Sequence, residues 1–342
     1  MEYLCGNETG ARAAPADAPA DTPVVFLHGL FESPAIWEPA RRALRAQGIE
    51  TFAPPLPGHR SDAVRRPASA GMHAGDAPAR HMAEVLRLVS GGRRVRLVGH
   101  SLGGLIALLV ARDHPDLVQD AMVIGAPHAG DAGRVAGLAT RLFTEVPLIG
   151  SISARLLHQH WLSDAQRFQV WFSRSLAPGE CITGLPARVR DELRGGCPET
   201  MRDMAVWIRA QATLESFAAL QVPVTVTVTA RDPVVTAEHQ LALARRLPGA
   251  LAQVIDSGHL PMVATPALFQ RTVAAWAAHP RPRLGPPVAA ADLPAEAAQT
   301  PVRMGAAAPE RRAAGRPAPP LPRPVAPDAG LPAAPEPGLP AG

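Results

Sequence analysis

One stretch constrains this chain more than any other: Val95-Arg96-Leu97-Val98-Gly99-His100-Ser101-Leu102-Gly103-Gly104. A β-prone apolar run meets three glycines around a single serine, then enters a strongly apolar helical segment at residues 105–112. A short apolar run of that kind reads as a strand buried on both faces, as in a parallel sheet. A sharp strand-to-helix turn strains the backbone at the serine, and side chains at Gly99 or Gly103 would collide with neighbouring backbone. The implied unit is strand, tight turn, helix.

The rest of the chain repeats that alternation. Residues 24–27 form a fully apolar run ending in His28-Gly29. Ser33-Pro34 then opens a helix through Ile36, Ala40, Ala43 and Leu44, which Gly48 closes. Strands are expected at 49–53, 118–124, 222–229 and 252–255, and helices around Met82–Val89, at 236–247 and at 266–278. This is the pattern of an α/β fold with a mostly parallel central sheet flanked by helices. The interval from about 130 to 220 breaks it, with helical stretches at 138–144, 154–161, 165–176 and 199–211 and no β run. It reads as a helical cap inserted between two strands. Residues 1–22 read as a flexible leader, 23–280 as the folded domain, and 281–342 as a disordered tail rich in Pro and Ala.

Chemistry enters at the turn. Gly99-His100-Ser101-Leu102-Gly103 fits the nucleophile elbow G-x-S-x-G, with a strand before it and a helix after it. A serine hydroxyl needs a base to take its proton, and that base needs an acid to orient it. His259, after the strand at 252–255, and Asp232, after the strand at 222–229, fall at the same sheet edge in the order Ser101, Asp232, His259. Asp256 competes for the acid role, but three residues before His259 it reads as a turn former. The N–H groups of Leu102 and Leu30 are the expected oxyanion-hole donors. His28 reads first as the residue that pins its loop; with Phe31 it is also a candidate substrate contact.

On these residues the chain resembles the α/β-hydrolase superfamily, in particular its cap-bearing single-domain members. The matching pieces are His28-Gly29-Leu30, Pro57-Gly58-His59, the elbow at 99–104, Asp232 and His259, together spanning residues 23 to 280. The resemblance implies an eight-stranded sheet with the cap inserted after the sixth strand. It also implies acyl transfer to water without metal or cofactor. Leu30 and Phe31 after the first loop glycine depart from the HGGG esterases, and the serine departs from the Asp- and Cys-nucleophile branches. Gly125-Ala126-Pro127-His128-Ala129-Gly130 resembles a G-x-P-H-x-G stretch of several lipases.

Composition narrows the partners. All 34 basic residues are arginine, but 30 acidic ones leave a net charge of only +4, so no nucleic-acid or polybasic membrane footprint is expected. Three cysteines (Cys5, Cys181, Cys197) make no disulfide framework, and the start lacks the character of a secretory signal. No run reaches about 18 apolar residues, so stable membrane insertion is not expected and the location reads as cytoplasmic. His158 and His160 form an H-x-H pair without carboxylates or thiols at ligand spacing, so no metal is expected. Phe143, Trp161, Phe168, Trp171, Phe172 and Trp207 either line an apolar pocket or pack the cap. The combined expectation is a serine hydrolase acting on a small-molecule carboxylic ester of largely apolar character. A thioesterase, a lactonase, a C–C bond hydrolase and a non-catalytic receptor on the same fold stand as alternatives.

Overall fold

The computed structural model describes residues 22–59, 75–129 and 147–282. They lie within the first of two compact units, Met1–Ala289 and Ala290–Gly342. Nearly all of the expected leader and of the expected tail, and Phe143 with the stretch at 138–144, lie outside the described residues.

Six parallel strands form one sheet in the order β2-β1-β3-β4-β5-β6. They are β1 (Val24–Leu27), β2 (Thr51–Phe52), β3 (Val95–His100), β4 (Val118–Ile124), β5 (Val224–Thr229) and β6 (Leu251–Ile255). The helices are α1 (Glu38–Arg45), α2 (Ala77–Ser90), α3 (Leu102–Asp113), α4 (Pro147–Leu162), α5 (Ala165–Phe172), α6 (Arg188–Arg194), α7 (Pro198–Arg209), α8 (Ala237–Arg246), α9 (Pro261–Ala264) and α10 (Pro266–Ala278). The resemblance implied eight strands with the cap after the sixth. Among the described residues there are six, and the helical interval follows the fourth.

Strand periodicity sorts the core into two layers. Val25 and Leu27 of β1 face α2, α3 and α8, while Val24 and Phe26 face α1 and α10. Helix α3 is buried at every position from Leu102 to Ala111, which explains why its sequence is apolar all round rather than striped. The strand expected at 49–53 shrinks to two residues because Pro54 and Pro55 follow at once and withdraw ladder donors. The interval between β4 and β5 is helical as expected, with α4, α5 and α7 near their predicted places. The short α6 was missed: only Val189 and Leu193 of its seven residues are buried, too few to show a period.

A buried charge pair ties the sheet to its last helix. Arg96 of β3 and Asp120 of β4 meet through two parallel contacts of 2.7 and 2.9 Å. The same guanidinium donates to the Trp276 and Ala277 carbonyls, satisfying the C-terminal end of α10, and lies 4.2 Å from the Trp276 ring centroid. Removing the carboxylate would strand a desolvated cation. Asp120→Ala is expected to cost about 3–5 kcal/mol of stability, read by urea denaturation, whereas loss of an exposed pair such as Arg93–Glu50 costs under about 1 kcal/mol.

Candidate active site

Ser101, Asp232 and His259 follow the carboxyl ends of β3, β5 and β6 and so share one rim of the sheet. Ser101 sits at φ 49° and ψ −118°, between the last residue of β3 and the first of α3. It and Phe31 (φ 58°) are the two non-glycine residues with positive φ among those described, and both stand at this rim. A conformation of that kind costs about 1–3 kcal/mol and persists only where the surroundings impose it. Here the Ser101 N–H donates to the Ile124 carbonyl at 2.9 Å, and α3 is locked inside the core. A Cβ at Gly103 would overlap the carbonyls of Leu27 and His28, so only glycine lets the first turn of α3 come down onto β1.

His259 is oriented by Asp232. Its Nδ1 lies 2.8 Å from Asp232 Oδ2, and both side chains are almost fully buried. The other bonds of Asp232 are all accounted for. Oδ2 also accepts from Thr229 Oγ1 (2.7 Å) and Gln240 Nε2 (3.2 Å), and Oδ1 from the N–H groups of Val234 and Val235 (2.8 Å each). Burial alone would raise the Asp232 pKa, but the adjoining His259 and these donors hold it below the usual carboxylate range. Asp256, the sequence competitor, is mostly exposed and pairs with Arg231 instead. Gly125, at φ 56°, leaves room for the His259 ring: a Cβ there would come within 3.1 Å of Nδ1.

Ser101 is joined to His259 through its neighbour. His100 Nε2 donates to the His259 carbonyl at 2.7 Å, while its Nδ1 lies 2.7 Å from Glu32 Oε1. No direct hydrogen bond links Ser101 Oγ to the His259 ring in this state. Glu32 Oε2 accepts the Gly29 N–H at 2.7 Å, so one carboxylate holds the loop after β1, the elbow and, through His100, the histidine loop. Burial would lower the His100 pKa, but Glu32 beside it lifts it; reciprocally, His100 overcomes burial to hold Glu32 down. Sequence reasoning missed this pair, since nothing in the local pattern at Glu32 distinguishes it from a surface loop acid.

His28 is fully buried with both ring nitrogens committed, Nδ1 donating to the Gly29 carbonyl (2.8 Å) and Nε2 accepting the Leu56 N–H (3.1 Å). Both bonds serve the loop-pinning role expected of it, and neither ring nitrogen is left to bond a ligand. His59 answers it from the other loop, Nδ1 donating to Pro57 O (2.9 Å) and Nε2 accepting the Phe31 N–H (3.1 Å). Of the N–H groups in Gly29-Leu30-Phe31, the first is held by Glu32 and the third by His59. That of Leu30 has no acceptor among the described residues.

Phe31 meets the ring of Trp171 edge-on at 5.6 Å, linking the loop to α5. Phe168, Phe172 and Trp207 are buried and pack the helical interval onto the core, while Trp161 lies against Arg174. His158 is used structurally, its Nε2 donating to the Leu193 carbonyl at 2.8 Å.

The chain belongs to the alpha/beta hydrolase family, whose model matches residues 24–272. It is 26% identical over 271 residues to an uncharacterized protein of Mycobacterium tuberculosis, covering 76% of each chain. A triacylglycerol lipase of Burkholderia plantarii is 31% identical over 130 residues, about a third (34%) of each. Among solved structures, a thermophilic esterase from Thermogutta terrifontis superposes with a TM-score of 0.56 at 20% identity, covering 75% of this chain and 89% of that one. Among the described residues, no helix is long and apolar enough to cross a membrane.

The two loop histidines predict a pH dependence. Burial lowers the pKa of His28 and pushes that of His59 down to about 3. Unfolded, each takes a proton near pH 6.5. Between that pH and the folded-state value the unfolded chain binds more protons, so stability is complete above about 6.5 and falls as the pH drops toward about 3. His59→Gln, which keeps an acceptor for Phe31, is expected to flatten this slope by up to about 1.4 kcal/mol per pH unit, measured by urea denaturation across that range.

Proposed function

We propose that this protein is a serine hydrolase that cleaves carboxylic esters of largely apolar character through an acyl-enzyme. The observation that carries the reading is the buried 2.8 Å His259–Asp232 pair beside a serine held at positive φ on the elbow. Asp232 fixes the Nδ1–H tautomer, which leaves Nε2 of His259 as the base. Rotation of the Ser101 side chain brings Oγ to Nε2, since contacts of this kind tighten when substrate arrives.

In the first step His259 takes the Ser101 proton as Oγ adds to the ester carbonyl carbon. The oxygen that becomes negative is received by the N–H groups of Leu30 and Leu102. Of the Gly29–Phe31 N–H groups, that of Leu30 has no acceptor among the described residues, and Leu102 begins α3, where the helix dipole also favours negative charge. His259 then passes its proton to the departing alcohol. Water, deprotonated by the same ring, attacks the acyl-serine and regenerates the hydroxyl. The Asp232 carboxylate stays ionised throughout and offsets the imidazolium charge.

The Phe31–Trp171 edge, bordering the oxyanion loop, favours an apolar acyl or alcohol group. The triacylglycerol lipase and esterase relatives are consistent with ester chemistry. Hydrolysis of p-nitrophenyl esters of graded chain length is the direct test. Ser101→Ala and Asp232→Asn are each expected to lower kcat by a factor on the order of 10,000, with folding intact by circular dichroism. A fully active Ser101→Ala enzyme would overturn the reading.

A further inference from the structure

We infer that Glu180, in the interval between β4 and β5, is a positioning residue that holds the Asp232 and His259 loops in their working register. The inference rests on the proposed triad and adds to it a residue outside the hydrolase sheet.

Glu180 lies between α5 and α6, far from the three triad residues in sequence, and its side chain is only 7% exposed. Both of its oxygens accept the N–H of Gly258, each at 3.0 Å, and Gly258 immediately precedes His259. Oε2 also accepts from Ala177 N–H at 2.8 Å, which folds the 177–180 turn around the carboxylate. Oε1 lies 3.4 Å from Nη2 of Arg231, the residue immediately before Asp232. One carboxylate therefore reaches the residue before the acid and the residue before the base.

Neighbouring contacts run in the same direction. The His259 N–H donates to the Ser175 carbonyl at 2.9 Å, and Arg231 N–H donates to Ser257 O at 3.0 Å. Arg231 Nη1 reaches Pro178 O at 3.3 Å and its Nε reaches Asp256 Oδ1 at 2.7 Å. Gly258 runs so close to the Leu176–Ala177 backbone that no Cβ fits between them. The helical interval thus grips the histidine loop by its main chain. Without Glu180, two buried N–H groups lose their acceptor and Arg231 its inner partner, so the loop would relax to recover bonds with water.

Displacing a general base by about an ångström can cost on the order of 100-fold in rate, while leaving ground-state binding intact. The expected result for E180A is therefore a fall in kcat of roughly 10- to 100-fold on a short p-nitrophenyl ester, with KM within about twofold of wild type. E180Q, which keeps one acceptor for Gly258 N–H but not the charge facing Arg231, is expected to fall between the two. The second readout is independent of turnover: the strongly downfield proton resonance of His259 Nδ1–H donated to Asp232. It should persist in wild type and in Ser101→Ala, and shift or vanish in E180A. A folded E180A enzyme with unchanged kcat and unchanged resonance overturns the inference; should E180A fail to fold, the same criteria apply to E180Q. A wild-type enzyme lacking the resonance and lacking turnover would instead sink the triad reading, and this inference with it.

Discussion

Everything at the rim depends on how closely the elbow is packed. The turn at Ser101 has to pass over the end of β1 with the first helical turn of α3 pressed against the Leu27 and His28 carbonyls. That proximity forces glycine at 103 and a strained conformation at 101, and it also makes the strain bearable. Helix α3 is buried along almost its whole length between the sheet and the layer of α2 and α8, so the elbow cannot relax without tearing the core. Backbone strain of about 1–3 kcal/mol is small against the burial of some ten apolar residues at about 1.5–3 kcal/mol for each large one. The fold supplies the strain energy; the site receives a hydroxyl held at a helix N-terminus.

A second constraint is the amount of polar material sealed beneath that hydroxyl. His28, His59, His100 and Glu32 are buried, and each is matched to named partners. Two neutral imidazoles hold the loops after β1 and β2 in a reciprocal exchange, each accepting an N–H from the other loop. The third imidazole is paired with a carboxylate. A buried pair of this type seldom adds stability over an apolar replacement, because desolvation consumes the Coulombic gain. What it adds here is definition: Glu32 consumes the Gly29 N–H, and with His59 consuming that of Phe31, the Leu30 N–H is the one of these three left without an acceptor among the described residues.

Legibility in the sequence followed the range of the interactions involved. The elbow, the flanking strand and helix, and the placing of Asp232 and His259 after β5 and β6 were readable, because each is announced by a local run of apolar residues ending in a turn. Asp256 could be set aside on equally local grounds, as a turn former three residues before His259. Glu32, His100 and Gln240 were not readable. Their roles arise where segments distant in sequence meet, and a glutamate that clamps an elbow has the same local signature as one facing water. His28 shows the intermediate case: its position in the loop was clear, yet only the occupancy of both ring nitrogens separates pinning the loop from touching substrate. Strand length at 49–53 and the existence of α6 failed on simpler grounds, one curtailed by Pro54-Pro55 and the other carrying just two buried side chains.

The helical interval is where the two scales meet. An element that only covered the mouth of a pocket would contact the sheet domain through side chains and leave the loops beneath it free. Here Ser175 and Glu180 bond to the main-chain N–H groups of His259 and Gly258, and the 176–177 backbone leaves no room for a methyl group at Gly258. A rigid main-chain contact transmits displacement, whereas a side-chain contact absorbs it by rotamer change. The interval also carries Trp171 against Phe31, so the same interval touches the loop after β1 on one side and the His259 loop on the other. Any motion that displaced this element would therefore loosen the His259–Asp232 pair and the loop after β1 together, so that in the proposed hydrolase its position and chemical competence are two readings of one conformational coordinate.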